Sequence, residues 1–264
     1  MESAPRHSNI VEYNPGNTDK FLRGKRIAIS GAGRGLGRAL AIVAADHGAD
    51  TVLLGRDQLA LDEVAATIST RTERRPLAVV CDLASPSSIH SAYENVLNVD
   101  ATVDVLINNG APWSTGNLID LSDDDIVATV AAAVTGTILL TKKLLPALRQ
   151  SAAADIITIV STSAIFGNHH SGGSTPFFAA KHGQSGFSDK LRHELRNDDI
   201  RVSAIYPPDF DDADPTDPSW ENRPSQSAMI SNREIVSIVL FILASSRACS
   251  FPAVFVERMA LKSN

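Results

Sequence analysis

Cysteine is scarce in this chain: Cys81 and Cys249 are the only two among 264 residues. Two thiols are too few for a disulfide scaffold, and with no signal-peptide pattern they lead one to expect a reducing, cytoplasmic setting. Aromatic residues are equally thin, at 5%. Positive charge is in deficit, with 24 Lys and Arg against 30 Asp and Glu and a formal charge of -6. No basic stripe stands out, which argues against a nucleic-acid partner. The Arg71, Arg74, Arg75 group reads as a solvated face between a helix and a strand. Long apolar runs are missing too. The longest, around Val236–Leu243, falls well short of a membrane span, so no membrane partner is expected. There is no repeat of fixed period and no low-complexity segment.

What is present is a large apolar fraction, 44% of the chain. At this length it suits one α/β domain with a sizeable core. Residues 1–24 are polar and contain Pro5, Pro15 and Gly16, which predicts an extended N-terminal arm that could contact a second subunit. The domain proper is expected over residues 25–264. Short apolar runs at Arg26–Ser30, Thr51–Leu54, Leu77–Val80, Val103–Ile107, Ile156–Val160, Val202–Ile205 and Ala253–Val256 read as buried strands. Amphipathic stretches lie between them at Leu36–His47, Leu59–Ser69, Pro86–Leu97, Asp123–Arg149, Phe178–Asn197 and Arg233–Ala244. Continuous apolar strands alternating with helices predict a parallel sheet covered on both faces. The stretch Pro207–Ser227, rich in Pro and Asp, reads as a long loop or lid, of the kind that is functional or disordered.

The first strand runs into Ser30-Gly31-Ala32-Gly33-Arg34-Gly35-Leu36-Gly37 and then into a helix. The spacing GxGxxG fails here, because its last position would be Leu36. The glycines fit GxxxGxG at Gly31, Gly35 and Gly37 instead. Gly31 permits a tight turn, Gly35 lets backbone approach a pyrophosphate, and Gly37 lets the helix pack close to the sheet. The helix N-terminus adds N–H groups and partial positive charge for phosphate.

From this spacing onward the chain resembles the short-chain dehydrogenase/reductase family, over roughly residues 24 to 258. Further matches follow in order: Cys81-Asp82-Leu83, Ile107-Asn108-Asn109-Gly110-Ala111, Ile159-Val160-Ser161, Lys181, Ile200-Arg201-Val202 and Ile205-Tyr206-Pro207-Pro208. The resemblance implies a single-domain α/β fold with a Rossmann-type doubly wound parallel sheet. It also implies a dinucleotide cofactor held by Gly31, Arg34, Gly35, Leu36, Gly37, Arg56, Asp82, Leu83, Asn109, Gly110, Lys181 and Pro207. Asp82 and Leu83 would contact the adenine. In place of the acidic residue that binds a ribose 2′-OH at the end of the second strand, this chain has Gly55-Arg56. Arg56 and Arg34 are two cations suited to a 2′-phosphate, which favours NADP(H) over NAD. Asp57 is read as the cap of the next helix.

The family catalyses with an Asn-Ser-Tyr-Lys set. Ser hydrogen-bonds the carbonyl oxygen of the substrate, Tyr exchanges a proton with it, and Lys lowers the Tyr pKa and binds the ribose. In this chain the asparagine position of Ala133-Val134-Thr135-Gly136 holds alanine. Ser161 matches the end of the fifth strand but stands sixteen residues before position 177, where thirteen is usual in the family; Ser163 is the other candidate. Lys181 matches without adjustment. Phe177 stands four residues before Lys181, where the family has its tyrosine, and a phenyl ring carries no proton. Three explanations stay open: an engineered Tyr→Phe change, another acid such as His169 or His170, or non-redox use of the fold. The paired histidines lack a third ligand at a supporting spacing, so no metal is expected.

The expected activity is NADP(H)-dependent reduction of a carbonyl, or oxidation of an alcohol, on a small organic molecule. The alternatives are a non-redox isomerase, lyase or cyclase, or a catalytically silent NADPH-binding protein. The substrate pocket should lie among Pro112–Asn117 and the 165–176 and 207–227 loops. The helices Asp123–Arg149 and Phe178–Asn197 have more apolar positions than one sheet face can cover, and in the family they pair across a two-fold axis. A homodimer or homotetramer is therefore expected.

Overall fold

The computed structural model describes residues 20–168, 171–220 and 229–259. Most of the expected arm, and both His169 and His170, lie outside these. The arm's last residues are folded onto the domain: Leu22 is buried and its N–H donates to the His47 carbonyl.

Seven strands form one parallel sheet: β1 (Arg26–Ser30), β2 (Asp50–Gly55), β3 (Leu77–Val80), β4 (Val105–Asn108), β5 (Asp155–Ile159), β6 (Arg201–Tyr206) and β9 (Ala253–Phe255). Their order is β3-β2-β1-β4-β5-β6-β9, so the direction of winding reverses between β1 and β4. This is the doubly wound, Rossmann-type α/β arrangement, and ligands of such sheets bind at that reversal, outside the carboxyl ends of the strands. The short strand β7 (Phe210–Asp211), inside the Pro- and Asp-rich region that the sequence pattern shows only as a loop, pairs separately with β8 (Ile230–Ser231), which lies just beyond it.

Strands β1, β4, β5 and β6 are buried along their whole length. Period-two alternation then divides their side chains between two cores. Ile27, Ile29, Ile107, Ile157 and Ile205 face one side, with α1 (Gly35–Asp46), α2 (Gln58–Thr72) and α7 (Asn232–Ala244). Ala28, Leu106, Ile156 and Val202 face the other, with α3 (Pro86–Val99), α5 (Thr137–Leu148) and α6 (Thr175–Glu194).

The expected single helix over Asp123–Arg149 is α4 (Asp123–Val130), a π-helical turn (Ala131–Gly136) and α5 in unbroken succession. The wider turn seats Gly136 against the backbone after β3, where an added Cβ would come within 2.1 Å of the Leu83 carbonyl oxygen. Taken together, Asp123–Leu148 is long and apolar enough to cross a membrane by length and composition. That exceeds what the sequence reading anticipated. Leu140, Leu144 and Leu148 are nonetheless buried against the sheet, while Val127, Val130 and Ile138 are exposed.

Two buried arginines, Arg26 and Arg201, and the exposed Arg247 brace the amino ends of the strands. Arg26 donates to the carbonyls of Val96, Asp100 and Thr102 at 3.0, 2.5 and 3.2 Å, closing the end of α3. Arg201 donates to the Ile242 carbonyl at 2.6 Å, at the end of α7, and pairs with Asp155 at 2.6 Å. Arg247 meets the other oxygen of Asp155 at 3.1 Å. Removing one partner of a buried pair strands the other charge away from water. Asp155→Ala should therefore lower the unfolding free energy by about 3–5 kcal/mol in urea denaturation. A loss below about 1 kcal/mol, the range of exposed pairs, would refute this account of the bracing.

Candidate active site

The glycine turn lies where it was expected, between β1 and α1 at the reversal of winding. Its shape depends on backbone packing: a Cβ on Gly37 would lie 2.0 Å from the Gly31 carbonyl oxygen, which no side chain can satisfy. Ser30 ties the turn to the end of β4, because its hydroxyl oxygen accepts from the N–H groups of Asn109 and Gly110 at 3.1 and 3.0 Å. The Asn109 side chain donates back to the Ser30 carbonyl at 3.1 Å. Arg34 occupies the N-cap of α1 in an extended conformation, and no side chain caps that helix. Its first N–H groups are thus available to an anion.

Arg34 and Arg56 are both exposed on the rim beside this turn. Asp57 accepts from the Ala60 N–H and caps α2, as the sequence suggested. Asp82 begins the loop after β3, where its carboxylate accepts from the Ala84 N–H at 3.0 Å. Leu83 is buried beside Gly110, whose Cβ, if present, would stand 2.8 Å from its methyl group. Pro207 is buried after β6 and its carbonyl accepts from the Thr162 N–H.

Ser161, Phe177 and Lys181 gather around the carboxyl end of β5. Lys181 is buried on α6 and donates to the Ile159 carbonyl at 3.0 Å and to the Gln184 side chain at 2.9 Å. Burial pushes its amine down to about 7. The Lys181 nitrogen lies 5.6 Å from the centre of the Phe177 ring, which is a cation–π contact rather than a hydrogen bond. Phe177 is buried and meets Trp113 edge to face at 4.7 Å. Ser161 accepts from the Ser163 N–H at 3.0 Å, capping a short turn over Thr162–Ala164. The Ser163 hydroxyl is buried with no hydrogen-bond partner among the described residues. The flanking loops are clasped together: Ser174 bonds Ser114 through both backbone and side chain, at 2.8 and 2.9 Å.

Three neighbours were not singled out from the sequence, although Trp113 and Asp212 lie in loops assigned to the substrate pocket. Gln184 stands three residues after Lys181, a helical spacing that could have revealed it. Trp113 carries no local signal. The third is Asp212, whose carboxylate lies over Gly35: a Cβ there would stand 2.7 Å from one of its oxygens. Partial burial holds that carboxyl above the usual range, against the pull of Arg34.

The sequence profile described as short chain dehydrogenase matches residues 25–223. The chain belongs to that family. Among curated proteins similar to this chain, oxidoreductase UcpA of Escherichia coli K12 is 34% identical over 104 residues, 39% of this chain and 39% of UcpA. Peroxisomal 2,4-dienoyl-CoA reductase of Danio rerio is 36% identical over 83 residues, 31% of this chain and 28% of that protein. The aligned segments thus span well under half of these relatives. L-Sorbose reductase of Gluconobacter frateurii, solved with NADPH and L-sorbose, superposes with a TM-score of 0.78 at 26% identity, covering 93% of this chain and 100% of that one. A short-chain dehydrogenase from Shigella flexneri shares the fold, with a TM-score of 0.76, 21% identity and coverage of 90% and 92%.

The buried lysine has a thermodynamic consequence. Its amine titrates at 10.5 as a free group and at about 7 in the folded chain. Between those values the unfolded state holds the extra proton, so this group's contribution to stability rises with pH across that window. Below it, the burial penalty is constant. In urea denaturation of the cofactor-free protein, the difference between wild type and Lys181→Met should shift in favour of wild type as pH rises from about 7 to about 10.5. A difference that stays flat over that range would show that the folded amine is not depressed.

Proposed function

We propose that the chain is an NADP(H)-dependent oxidoreductase acting on the carbonyl or alcohol carbon of a small organic molecule. The observation that carries this reading is Lys181, buried and hydrogen-bonded at the carboxyl end of β5 beside the seat of the missing phenol. A lysine so fully desolvated weakens the fold, which argues that the position serves a ligand.

The residues present fit a dinucleotide. Gly31, Gly35, Leu36 and Gly37 offer close-approach backbone and an uncapped helix N-terminus to a pyrophosphate. Arg34 and Arg56 would hold a 2′-phosphate, Asp82 and Leu83 the adenine, Asn109, Gly110 and Pro207 the inner wall, and Lys181 the nicotinamide ribose. Bound there, the nicotinamide supplies or accepts a hydride. Ser161 retains a free O–H donor for a substrate oxygen, because its own oxygen is the acceptor in the contact with Ser163. Phe177 has no exchangeable proton to give or take. The hydride half of the site is therefore equipped and the proton half is impaired.

A second reading, a silent NADPH-binding or non-redox protein, is favoured by the packing of Phe177. Its ring is buried against Trp113 and Gly173, as a structural side chain would be. One substitution separates the two. Phe177→Tyr should place a hydroxyl in the reach of Lys181, and proton transfer by a positioned acid contributes about 10²–10⁴-fold. NADPH oxidation with a panel of small ketones should rise at least a hundredfold, by that same range, and the gain should vanish in Phe177→Tyr/Lys181→Met. No gain with any ketone would move the silent or non-redox reading to the front.

Cofactor choice is tested apart from turnover. One charge-assisted contact contributes roughly 1.5–3 kcal/mol, so calorimetric titration should show NADPH binding at least about tenfold more tightly than NADH. Arg56→Ala should erode that preference. Equal affinities for the two cofactors would remove the assignment to NADP(H).

A further inference from the structure

The anion seat of the glycine turn already has a negative group above it, and that group belongs to the chain. Asp212 places one carboxylate oxygen 2.7 Å, and the other 3.1 Å, from the point a Cβ on Gly35 would occupy. Gly35 has a positive φ of 53° and opens α1, so this is the face of the turn that a phosphate would approach. Arg34, in the same turn, is the cation that acts on the Asp212 carboxyl.

Asp212 is held there by its neighbours on both sides. Before it, Asp211 is paired in register with Ser231 between β7 and β8. After it, Ala213 is gripped at both backbone groups by the fully buried Asn232, which accepts from its N–H and donates to its carbonyl at 3.0 Å each. Asp214 then pairs with Arg38 on α1 at 3.1 Å, and buried Trp220 ends the segment. These anchors fix the backbone on both sides of Asp212 and so keep its carboxylate over the turn.

We infer that Asp212 is an intrachain competitor for dinucleotide phosphate, an autoinhibitory contact that a nucleotide must displace to reach the glycine turn. The inference rests on the proposed cofactor site. Two anions cannot share the Gly35 face without strong repulsion in a partly desolvated cleft. While Asp212 is in place its charge also lies within electrostatic reach of Arg34, one of the two cations assigned to the 2′-phosphate. A phosphate that takes the Gly35 face must move the carboxylate aside, so its binding is coupled to movement of the 211–214 segment.

The test is equilibrium binding, with NADPH and adenosine as probes, of wild type, Asp212→Asn, Asp212→Ser and Asp217→Asn. The last is a control, because Asp217 lies in the same segment and its carboxylate only caps the turn at Ser219. Removing one like charge at close range should raise NADPH affinity about tenfold or more in both Asp212 variants. Adenosine, which has no phosphate, should bind all four proteins alike, and Asp217→Asn should match wild type with NADPH. Equal NADPH affinity in wild type and the Asp212 variants would overturn the competitor while leaving the cofactor reading intact. Absence of NADPH binding in all four proteins would overturn the cofactor reading and the competitor together.

Discussion

Where α1 leaves β1, helix and turn meet backbone to backbone, with the Gly31 carbonyl filling the place of a Gly37 side chain. That contact fixes the direction of α1 and hence where its unpaired N–H groups point. The Ser30 hydroxyl carries the same constraint across to β4, because it accepts two successive N–H groups there. The turn, the end of β4 and the first turn of α1 are thereby one rigid unit. Everything else at this end of the sheet is arranged around it, including the carboxylate of Asp212 and the arginines on the rim.

The lysine end of the site is organised differently. Lys181 has carbonyl and amide oxygens for partners and a phenyl ring for a neighbour, with no phenol to tune. In the family the residue's value lies in what it does to the adjacent hydroxyl. Here the neighbour is the Phe177 ring, packed edge to face against Trp113. Ala133, in the π-helical turn that carries Gly136, is likewise apolar. Both positions present hydrocarbon, and neither side chain can exchange a proton.

Most of the fold was legible in the sequence because parallel strands covered on both faces are mostly apolar, and the partly exposed edge strands are short apolar runs as well. Arg26–Ser30 and Leu77–Val80 have the bounds expected, and the other main-sheet strands differ only at their ends. The glycine turn and Lys181 were legible because their spacing is imposed by backbone geometry. What stayed hidden depends on contacts between distant segments. The π-helical turn is tied to the carbonyl of Leu83, some fifty residues earlier. Trp113 reaches Phe177 only once two loops are clasped by Ser114 and Ser174. Asp212 reaches Gly35 because Asn232, on another helix, fixes the backbone beside it. No period or local motif encodes such meetings.

Arg26 and Arg201, buried at strand starts, and the exposed Arg247 give this protein two ends with separate duties. Arg26, Arg201 and Arg247, with Asp155, close helix termini and join strands at the amino edge of the sheet. The glycine turn, Lys181, Phe177 and Asp212 all stand at the opposite edge. A lineage carrying this architecture can exchange reactive groups at one end while the cooperative unfolding unit is secured at the other. Side chains that only line the carboxyl edge can be exchanged without touching this bracing, whereas the glycines of the turn cannot.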